Sequence, residues 1–342
     1  MGDLTTHPRE IQKAILRDLR TKLLQVESAT KAELISELGV SFPTISKFIS
    51  RMEQDGEIIL AGMDESSGGR RAKRYAYNPE YMLGLAIYLE KKETHYTVFN
   101  CKGENKEQGV SASVLTDDLD DLARQIEEII SKYPKIRTVA IGVPGVVNHG
   151  RILYIPDFEP FQNVDLKQYL EEKLPVAVVV ENDMNAAVLG YRDTKRILDR
   201  PSLIYLYFGQ NGPGSGIMIN GELVRGSTSF SGEVSFIPLY DERNFQQAMN
   251  PSGEQDQTQL ISQRIDAISR LVAAFTAIVN PHSIIFSQDE VNPVMLSQIA
   301  ARSAIYIPEQ TLPELISSDW TQDYLLGLQT LGIGLMVSEV NT

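Results

Sequence analysis

An acidic residue, Asp183, stands in the sequence where an acid–base site needs a carboxylate. Asn182 and Asp183 follow the apolar run VAVVVE and precede the small residues NAAVLG, and Glu233 follows later in the segment SGEVSF. A carboxylate at the end of a buried strand can take a proton from a hydroxyl group, and a second polar group can hold that hydroxyl. Asp183 is therefore placed like a catalytic base at the end of a strand. The alternative is that Asp183 and Glu233 are strand-end caps in a cleft that binds nothing.

Metal sites and disulfide bonds have little support in the composition. The chain has 342 residues and one cysteine, Cys101, which excludes a disulfide within the chain and a thiolate zinc cage. The four histidines are His7, His95, His149 and His282. None has the spacing of a metal ligand, so each is assigned to the surface or to a turn. We expect no resident metal.

The elements that would position these residues belong to an α/β body that begins near residue 80. The segments TVAIGVPGVV and VAVVVEND are almost continuous apolar runs, which are typical of strands buried in a sheet. The segment DDLDDLARQIEEIISKY has the spacing of an amphipathic helix, and QRIDAISRLVAAFTAIVN predicts a long helix before another buried strand. Strands that alternate with helices predict an α/β fold.

The first 78 residues show a different pattern. Thr30 and Glu33 form a capping-box sequence, and Gly39 suits the end of the helix that follows. Ser41 is suited to cap a third helix, whose first turn tolerates Pro43. Two short helices joined by a tight turn predict a helix-turn-helix, and two short strands around a Ser/Gly-rich turn predict a β-hairpin after it. Helices and hairpin in this order predict a winged helix.

A winged helix contacts DNA with the exposed face of its third helix and with its hairpin tip. Short polar side chains there can reach base edges, and Lys and Arg suit phosphates. Phe42 is assigned both to this face and to the buried face, which Ile45, Phe48, Ile49 and Met52 would complete. The candidate DNA-binding residues are Ser41, Phe42, Thr44, Ser46, Lys47, Arg51, Arg70, Arg71 and Lys73. The alternative is a solvated helix face and an ordinary basic loop.

The charge distribution limits where nucleic acid can bind. Net charge is −13, but residues 1–78 contain 12 basic and 11 acidic residues, whereas the remainder contains 20 basic and 34 acidic residues. An acidic body is repelled by phosphates, so only the N-terminal region is a credible DNA contact. Its small excess of positive charge predicts that two copies of the module act together. We expect a cytoplasmic protein, because no apolar run could cross a bilayer and no secretory signal is visible.

Motifs across most of the chain resemble one family. The segments IGVPGVVNHGRI, VENDMNAAVLG, GIMINGELVRGS and SGEVSF, together with the N-terminal winged helix, are similar to those of the ROK family (repressor, open reading frame, kinase). The resemblance implies a two-lobed, actin-like ATPase fold of the hexokinase type. Its members are sugar kinases or sugar-responsive transcription factors, and only the latter carry the extra winged helix. The implied domains are residues 1–78, residues 79–195 with about 322–342, and residues 196–321, the last with the dimer contacts.

The kinase phosphate loops are altered in this chain. The family's kinases carry an Asp-x-Gly-Gly-Thr-Lys-like loop after the first strand of the body, where backbone N–H groups hold phosphates. At that place this chain has YLEKKE, with Glu90, Lys91 and Lys92 instead of glycines. The second loop is FGQNGPGSG, in which Gln210 replaces a threonine and Pro213 intrudes. We expect no ATP to bind, which leaves Asp183 as the vestige of a kinase base.

The sugar side of the resemblance is only partly kept. Phe236 stands at the position of the family's histidine, which is also a zinc ligand in many members, so we expect no zinc. Phe158 and Phe161 are expected to give the pocket an apolar wall. The residues carried over as ligand-binding are Gly145, Asp157, Asn182, Asp183 and Glu233. The occupant is a sugar, a phosphosugar or another sugar derivative, a different small ligand, or nothing.

These patterns together indicate a transcriptional regulator, most simply a repressor of carbohydrate-related genes. It would bind a double-stranded DNA operator as a homodimer or a dimer of dimers, and a ligand in the cleft would change lobe closure. Two alternatives stay open. One is an active sugar kinase with an appended DNA-binding domain, and the other is a regulator that binds DNA without any ligand.

Overall fold

A computed structural model describes most of the chain. The described residues are 8–64, 71–116, 119–156, 158–195, 200–209, 212–250 and 256–338. Among the helices of these residues, none combines the length and the apolar character that crossing a bilayer requires.

The N-terminal module, residues 8–78, contains three helices and a small antiparallel sheet. Its elements are α1 (Pro8–Gln25), β1 (Ala29–Thr30), α2 (Lys31–Leu38), α3 (Phe42–Gln54), β2 (Ile58–Met63) and β3 (Lys73–Tyr77), with the sheet order β1-β3-β2. Helix α2 begins as expected, because the Thr30 side chain and the Glu33 side chain each bond the other's backbone N–H. It ends at Gly39, whose φ of 64° is a left-handed conformation that suits glycine. The strands β2 and β3 form the predicted hairpin.

A five-stranded sheet forms the first half of the body. Its strand order is β11-β7-β4-β5-β6, in which β4, β7 and β11 run parallel and β5 and β6 run antiparallel to their neighbours. The elements are β4 (Leu83–Leu89), β5 (Glu93–Asn100), β6 (Asn105–Ala112), α4 (Leu119–Lys132), β7 (Ile136–Val143), β8 (Val146–Asn148), β9 (Arg151–Tyr154), β10 (Val164–Asp165), α5 (Leu166–Lys173), β11 (Ala177–Asn182) and α6 (Asp183–Thr194). Strand β4 is buried along its whole length, as its continuous apolar sequence predicts.

A second five-stranded sheet has the order β14-β13-β12-β17-β18. Its core strands β12, β17 and β18 are parallel, and β13 returns antiparallel to β12. The elements are β12 (Leu203–Tyr207), β13 (Gly214–Ile219), β14 (Glu222–Leu223), β15 (Pro238–Tyr240), β16 (Arg243–Asn244), α7 (Phe245–Met249), α8 (Gln257–Ile278), β17 (Ser283–Ser287), α9 (Pro293–Ser303) and β18 (Glu314–Ser318). Helices α8 and α9 pack on each other and carry much of the apolar core of this half.

Helix α10 (Trp320–Ser338) joins the parts of the molecule. It packs against α6 and against the strands β4 and β7 of the first sheet. The two helices approach closely at two glycines. A Cβ on Gly190 would lie 1.8 Å from the carbonyl oxygen of Asp323, and one on Gly327 would lie 1.8 Å from that of Ala186. Only glycine allows this contact between the helix backbones.

The C-terminal end of α10 meets the N-terminal module. Arg20 of α1 and Glu57 are each 3% exposed and form an ion pair, with 2.5 Å between Nε and Oε1. The Tyr77 hydroxyl donates a second hydrogen bond to that Glu57 oxygen. Arg20 Nη1 also donates to the carbonyl oxygen of Val337, where the helix dipole favours a positive charge. The module is therefore attached to the body through a buried charged contact.

Candidate functional site

A cleft between the two sheets contains the polar residues singled out by the sequence. Strand β11 lies parallel to β7, with Asn182 opposite Val143, and helix α6 begins directly after it at Asp183. From this side Asn182, Asp183 and Gly145 line the cleft, and from the other side Tyr207 and Glu233 line it. The structure therefore brings together four of the five residues carried over as ligand-binding. The fifth, Asp157, lies outside the described residues.

The side chain of Asn182 makes most of its hydrogen bonds within the protein. Its side-chain oxygen caps α6 by accepting from the backbone N–H of Asn185 at 2.9 Å. Its amide nitrogen donates to the carbonyl oxygen of Gly145 and to Asp183 Oδ1, each at 2.9 Å. Both N–H donors of the amide are thus used, and one lone pair of the oxygen remains. Asn182 therefore stabilises the floor of the cleft, and its remaining capacity to bind a ligand is one lone pair of the side-chain oxygen.

Asp183 divides its two oxygens between the fold and the cleft. Oδ1 accepts hydrogen bonds from Asn182 and from the backbone N–H of Met184, at 2.9 and 2.8 Å. Oδ2 has no hydrogen-bond partner among the described residues. Oδ1 therefore acts as a cap of the helix, as one of the two hypotheses for Asp183 predicts. Oδ2 can accept a hydrogen bond from a ligand hydroxyl.

Glycines bring the backbone close enough to shape the cleft. A Cβ on Gly145 would lie 2.2 Å from the carbonyl oxygen of Tyr154, and one on Gly232 would lie 2.1 Å from that of Ser215. Gly232 also has a φ of 99°, so only glycine suits this turn before Glu233. Glu233 precedes a short 3₁₀ helix (Val234–Phe236) but makes no side-chain cap bond to it.

Burial makes the acidic groups of the cleft hard to ionise. The pKa of Asp183 is raised to about 7, chiefly by burial and further by the negative charges of Glu233 and Glu90. Burial also raises the pKa of Glu233 and that of Glu90. Among the described residues that line the cleft there is no Lys, Arg or His. The cleft therefore has acidic groups and no facing cation, which disfavours an anionic ligand.

The apolar wall of the cleft comes from residues other than those predicted. Phe158 and Phe161 are 6% and 0% exposed and belong to the apolar core beside the first sheet, so the prediction that they line the pocket is wrong. Tyr207 and Phe236 line the cleft instead. Phe236 is half exposed, with its ring centroid 5.4 Å from that of Phe230. Aromatic faces of this kind can pack on the C–H faces of a ring ligand.

A stack of aromatic rings lies behind this wall and joins the two sheets. Tyr207 of β12 stacks on Trp320 with 4.2 Å between ring centroids, and Trp320 lies 5.1 Å from Tyr324. Tyr324 continues to Tyr88 of β4 at 5.2 Å, and Tyr88 stacks on His95 at 4.4 Å. The sequence does not reveal this stack, because the rings come from β4, β5, β12 and α10 and share no local pattern.

The connection between β4 and β5 is a tight turn. The backbone N–H of Glu90 donates to the carbonyl oxygen of Glu93 at 2.9 Å, and Lys91 and Lys92 form the exposed tip. Among the described residues there is also no group of three or more His, Cys, Asp or Glu side chains placed to hold a metal ion.

The candidate DNA-binding residues of α3 are mostly exposed. Phe42 is 62% exposed, so its assignment to the buried face is wrong, whereas Ile45, Phe48, Ile49 and Met52 are buried as predicted. Phe42 is the first residue of α3, and Pro43 follows it in the first turn of the helix. The other exposed members are Ser41, Lys47 and Arg51, with Thr44 half-buried.

Two details of this face differ from the prediction. Ser41 makes no cap bond to the α3 backbone, and its hydroxyl lies 3.0 Å from that of Thr44. Ser46 was expected to point outward, but its hydroxyl oxygen is buried and has no hydrogen-bond partner in the described part of the chain. Ser46 therefore does not present its hydroxyl on the outer face.

The basic residues of the hairpin differ in exposure and in the ion pairs that they form. Arg71 is exposed, and Lys73 of β3 lies 3.6 Å from Glu53 in a surface ion pair. Arg74 is bonded to Glu33 and Asp64. Arg70 falls outside the described residues. Surface pairs such as that of Lys73 are weak and can exchange for a phosphate.

Known proteins with similar sequences are repressors and sugar kinases. The chain is 28% identical to the xylose repressor of Caldicellulosiruptor bescii over 235 residues, which cover 65% of this chain and 56% of the repressor. It is 31% identical to a beta-glucoside kinase of Listeria monocytogenes over 135 residues, which cover 39% of this chain and 45% of the kinase. The chain thus spans little more than half the length of this repressor and less than half that of the kinase.

A solved structure shows the same arrangement of elements. The crystal structure of a ROK family transcriptional regulator, a homolog of the E. coli MLC protein, matches with a TM-score of 0.76 and 17% identity, covering 96% of this chain and 99% of that one. At this identity the likeness establishes the fold, an actin-like α/β body with two sheets. Residues 86–245 match the sequence profile of the ROK family. The chain therefore carries a ROK family domain.

Proposed function

We propose that this protein is a DNA-binding transcriptional repressor of carbohydrate-related genes, with a ROK body that senses a sugar and does not phosphorylate it. The observation that carries the proposal is the attachment of a helix-turn-helix-like module to a cleft-bearing ROK body through α10. The similarity to a xylose repressor supports the same function. The N-terminal module acts as a winged helix, with α3 in the major groove of an operator and the β2–β3 hairpin along the neighbouring groove.

The exposed face of α3 supports DNA binding. Lys47 and Arg51 suit phosphates, and among the described residues Arg51 forms a 3.6 Å surface ion pair with Asp55. Phe42, exposed at the N-terminal end of the helix, has the size and apolar surface to contact a thymine methyl group. Such a face has few cations, so one module makes few phosphate contacts. A homodimer, or a dimer of dimers, supplies the second module in this proposal.

The test is binding of the full-length protein to its own promoter DNA, measured by fluorescence anisotropy against salt concentration. Lys47→Gln is expected to weaken binding and to reduce the salt slope by about one, since one phosphate contact is lost. Lys167→Gln, on α5 of the body, is the matched control and leaves binding unchanged. Equal binding by the wild-type protein and Lys47→Gln would count against α3 as the DNA-contacting helix. Light scattering of the free protein checks the dimer.

The cleft suits a neutral sugar better than a phosphosugar. Asp183 Oδ2 and the Glu233 carboxyl group can bind hydroxyl groups, and Tyr207 and Phe236 offer aromatic faces to the ring. The cavity measures about 100 Å³, smaller than the roughly 300–1,000 Å³ of pockets for drug-sized ligands, so a monosaccharide matches it better than a nucleotide. A phosphate placed beside two acidic groups, without a cation among the described lining residues, is disfavoured.

Calorimetric titration with D-xylose and D-glucose tests this sensor. At least one of them is expected to bind, to lose affinity about tenfold in Glu233→Gln, and to weaken operator binding. An excess of glucose 6-phosphate is expected not to displace the bound sugar. If operator binding is intact and neither sugar binds, the regulator works without these ligands.

The absence of kinase activity is also part of the proposal. By the resemblance to ROK kinases, the β4–β5 connection is where ATP phosphates would lie. In this chain that connection is a tight turn tipped by two lysines, next to a half-buried acidic group, Glu90. The aromatic stack fills the space behind it. A coupled phosphorylation assay with ATP and the same sugars is expected to show no turnover; turnover that disappears in Asp183→Asn would instead establish a sugar kinase.

Helix α10 supplies a route from cleft to module. Its first turn carries Trp320, which stacks on the cleft residue Tyr207, and its last turn accepts a hydrogen bond from Arg20. A ligand shifts operator binding only if it binds one arrangement of the two sheets better than another. In this proposal the sugar favours a closed cleft, and α10 transmits the change to the module.

A further inference from the structure

A second polar site lies apart from the cleft, on the outer side of the second half of the body. Asp266 of α8 is 8% exposed and is surrounded by Arg270 of the same helix, Arg302 of α9 and Tyr240 of β15. Tyr306, just after α9, reaches the same carboxylate. No local sequence pattern indicates this cluster, because its members are spread over several elements between residues 240 and 306.

Four donors use all the hydrogen-bonding capacity of Asp266. Oδ1 accepts from Arg302 Nε at 2.5 Å and from the Tyr306 hydroxyl at 3.2 Å. Oδ2 accepts from Arg270 Nε at 2.9 Å and from the Tyr240 hydroxyl. A carboxylate offers about four lone pairs, so this group is saturated. It neutralises one of the arginines and can accept nothing more.

The arginines retain unused donors. Arg270 and Arg302 bond Asp266 through Nε, and their terminal Nη groups have no hydrogen-bond partner among the described residues. Arg243, on β16, has no ion pair in the same part of the chain and lies over the Tyr240 ring at 5.0 Å. The cluster therefore contains three guanidinium groups and one ionised carboxylate, which is an excess of two positive charges. Two acidic residues, Asp241 and Glu242, precede Arg243 but do not line the cavity described next.

Tyrosine rings hold the arginines in position. The Arg270 guanidinium lies 4.9 Å from the Tyr240 ring centroid and 4.8 Å from that of Tyr306. Stacking on aromatic faces restricts a guanidinium to one plane and leaves its edge for a ligand. Because the donors are oriented before any ligand arrives, little side-chain entropy is lost on binding.

A cavity of about 240 Å³ opens beside this cluster. Its lining includes Tyr240, Arg243, Ser262, Gln263, Asp266 and Arg302. We propose that this cavity is a second ligand site, which binds the phosphate group of a small metabolite through Arg243 and Arg302, while Arg270 adds positive charge from beside the cavity. Planar guanidinium groups match the geometry of phosphate oxygens, and Ser262 and Gln263 add neutral donors for the remainder of the ligand.

The site is next to the cleft but separate from it. Helix α7 lies between them: Gln246 lines the cleft, and Ala248 lines the arginine cavity. The two cavities have opposite electrostatic character, since the cleft has acidic groups without a cation among the described residues. A phosphorylated metabolite and a neutral sugar can therefore bind one protein without competing.

The experiment uses the full-length protein and inorganic phosphate as the probe. Thermal unfolding is followed as phosphate rises to about 10 mM, with sodium chloride at equal ionic strength as the reference. A ligand of the folded state raises the melting temperature by mass action. We expect phosphate to stabilise the protein beyond the chloride reference, and glucose 6-phosphate to do the same. No stabilisation by either phosphate compound would overturn the proposal.

Two variants locate the effect. Arg243 makes no hydrogen bond to Asp266 among the described residues, so Arg243→Gln is expected to fold normally and to lose about tenfold in phosphate affinity. Arg124→Gln, at an exposed arginine of α4, is the control and keeps the wild-type response. Asp183→Asn in the cleft also keeps it, which separates this site from the proposed sugar site. Undiminished phosphate binding by Arg243→Gln would show that the phosphate binds elsewhere.

Discussion

Replacing Asp183 by Asn tests how much the ionised carboxylate in the cleft destabilises the folded protein. The carboxyl group has a pKa of about 7 in the folded protein, and 3.8 is its ordinary value. Between these two pH values the folded protein binds a proton that the unfolded chain has released. Its free energy of unfolding therefore falls as pH rises through this window and becomes constant above it. Asn removes this term and can still accept the bonds from Asn182 and Met184.

The magnitude follows from the pKa difference. A difference of about 3, at 1.36 kcal/mol for each pKa unit, gives an upper limit of about 4 kcal/mol. The carboxylate borders an open cleft, so water screens part of the cost, and about 2 kcal/mol is expected. Asp183→Asn should thus be more stable than the wild-type protein at pH 8 by about this amount, and the two should differ little at pH 4.

Urea denaturation at pH 4, 6 and 8 measures the difference. The exposed residue Asp241 provides a matched control, because Asp241→Asn changes the same chemical group away from the cleft. The reasoning would be refuted if Asp183→Asn and the wild-type protein kept a constant difference across the three pH values. It would also fail if the variant were the less stable protein at pH 8.

Three further tests probe the charged contact of the module, the contact between α6 and α10, and the DNA-contacting face of α3. Arg20→Met leaves Glu57 buried without its partner and should cost about 3–5 kcal/mol in urea denaturation, whereas adding Glu57→Leu should restore most of it. Gly327→Ala places a methyl group against the α6 backbone and should cost about 1–3 kcal/mol, while Gly334→Ala, with open space around it, should be neutral or slightly stabilising by the same measurement. Phe42→Ala should leave the free energy of unfolding within about 0.5 kcal/mol but weaken operator binding in an anisotropy titration; unchanged binding would remove Phe42 from the DNA-contacting face.

Local sequence patterns predicted the local structure well. The capping pair Thr30 and Glu33, the glycine at position 39 and the apolar spacing of α3 all lead to the observed elements. These features depend on neighbours in the chain, which a sequence displays directly. Phe42 was harder to place, because the side chain of the first residue of a helix can point along the helix axis. Such a side chain does not join the apolar face that the spacing predicts. The domain boundaries stay predictions.

The candidate cleft was predicted in part. Asp183 and Glu233 lie together as the motifs indicate, since strand ends and turns around the two sheets meet there. The sequence could not predict that the amide N–H groups of Asn182 are already hydrogen-bonded. One of these bonds goes to Gly145, which is far from Asn182 in the sequence. Phe158 was misplaced for the related reason that an aromatic residue near a motif can turn into the core as easily as into the cleft.

The aromatic stack has a practical consequence for spectroscopy. Trp320 is the only tryptophan of the chain, and it stacks on Tyr207, a residue of the cleft wall. Its emission therefore arises from one known place between the two sheets, at the beginning of the helix that ends against the N-terminal module. The native protein thus contains its own fluorophore at this junction, and no label has to be attached to observe it.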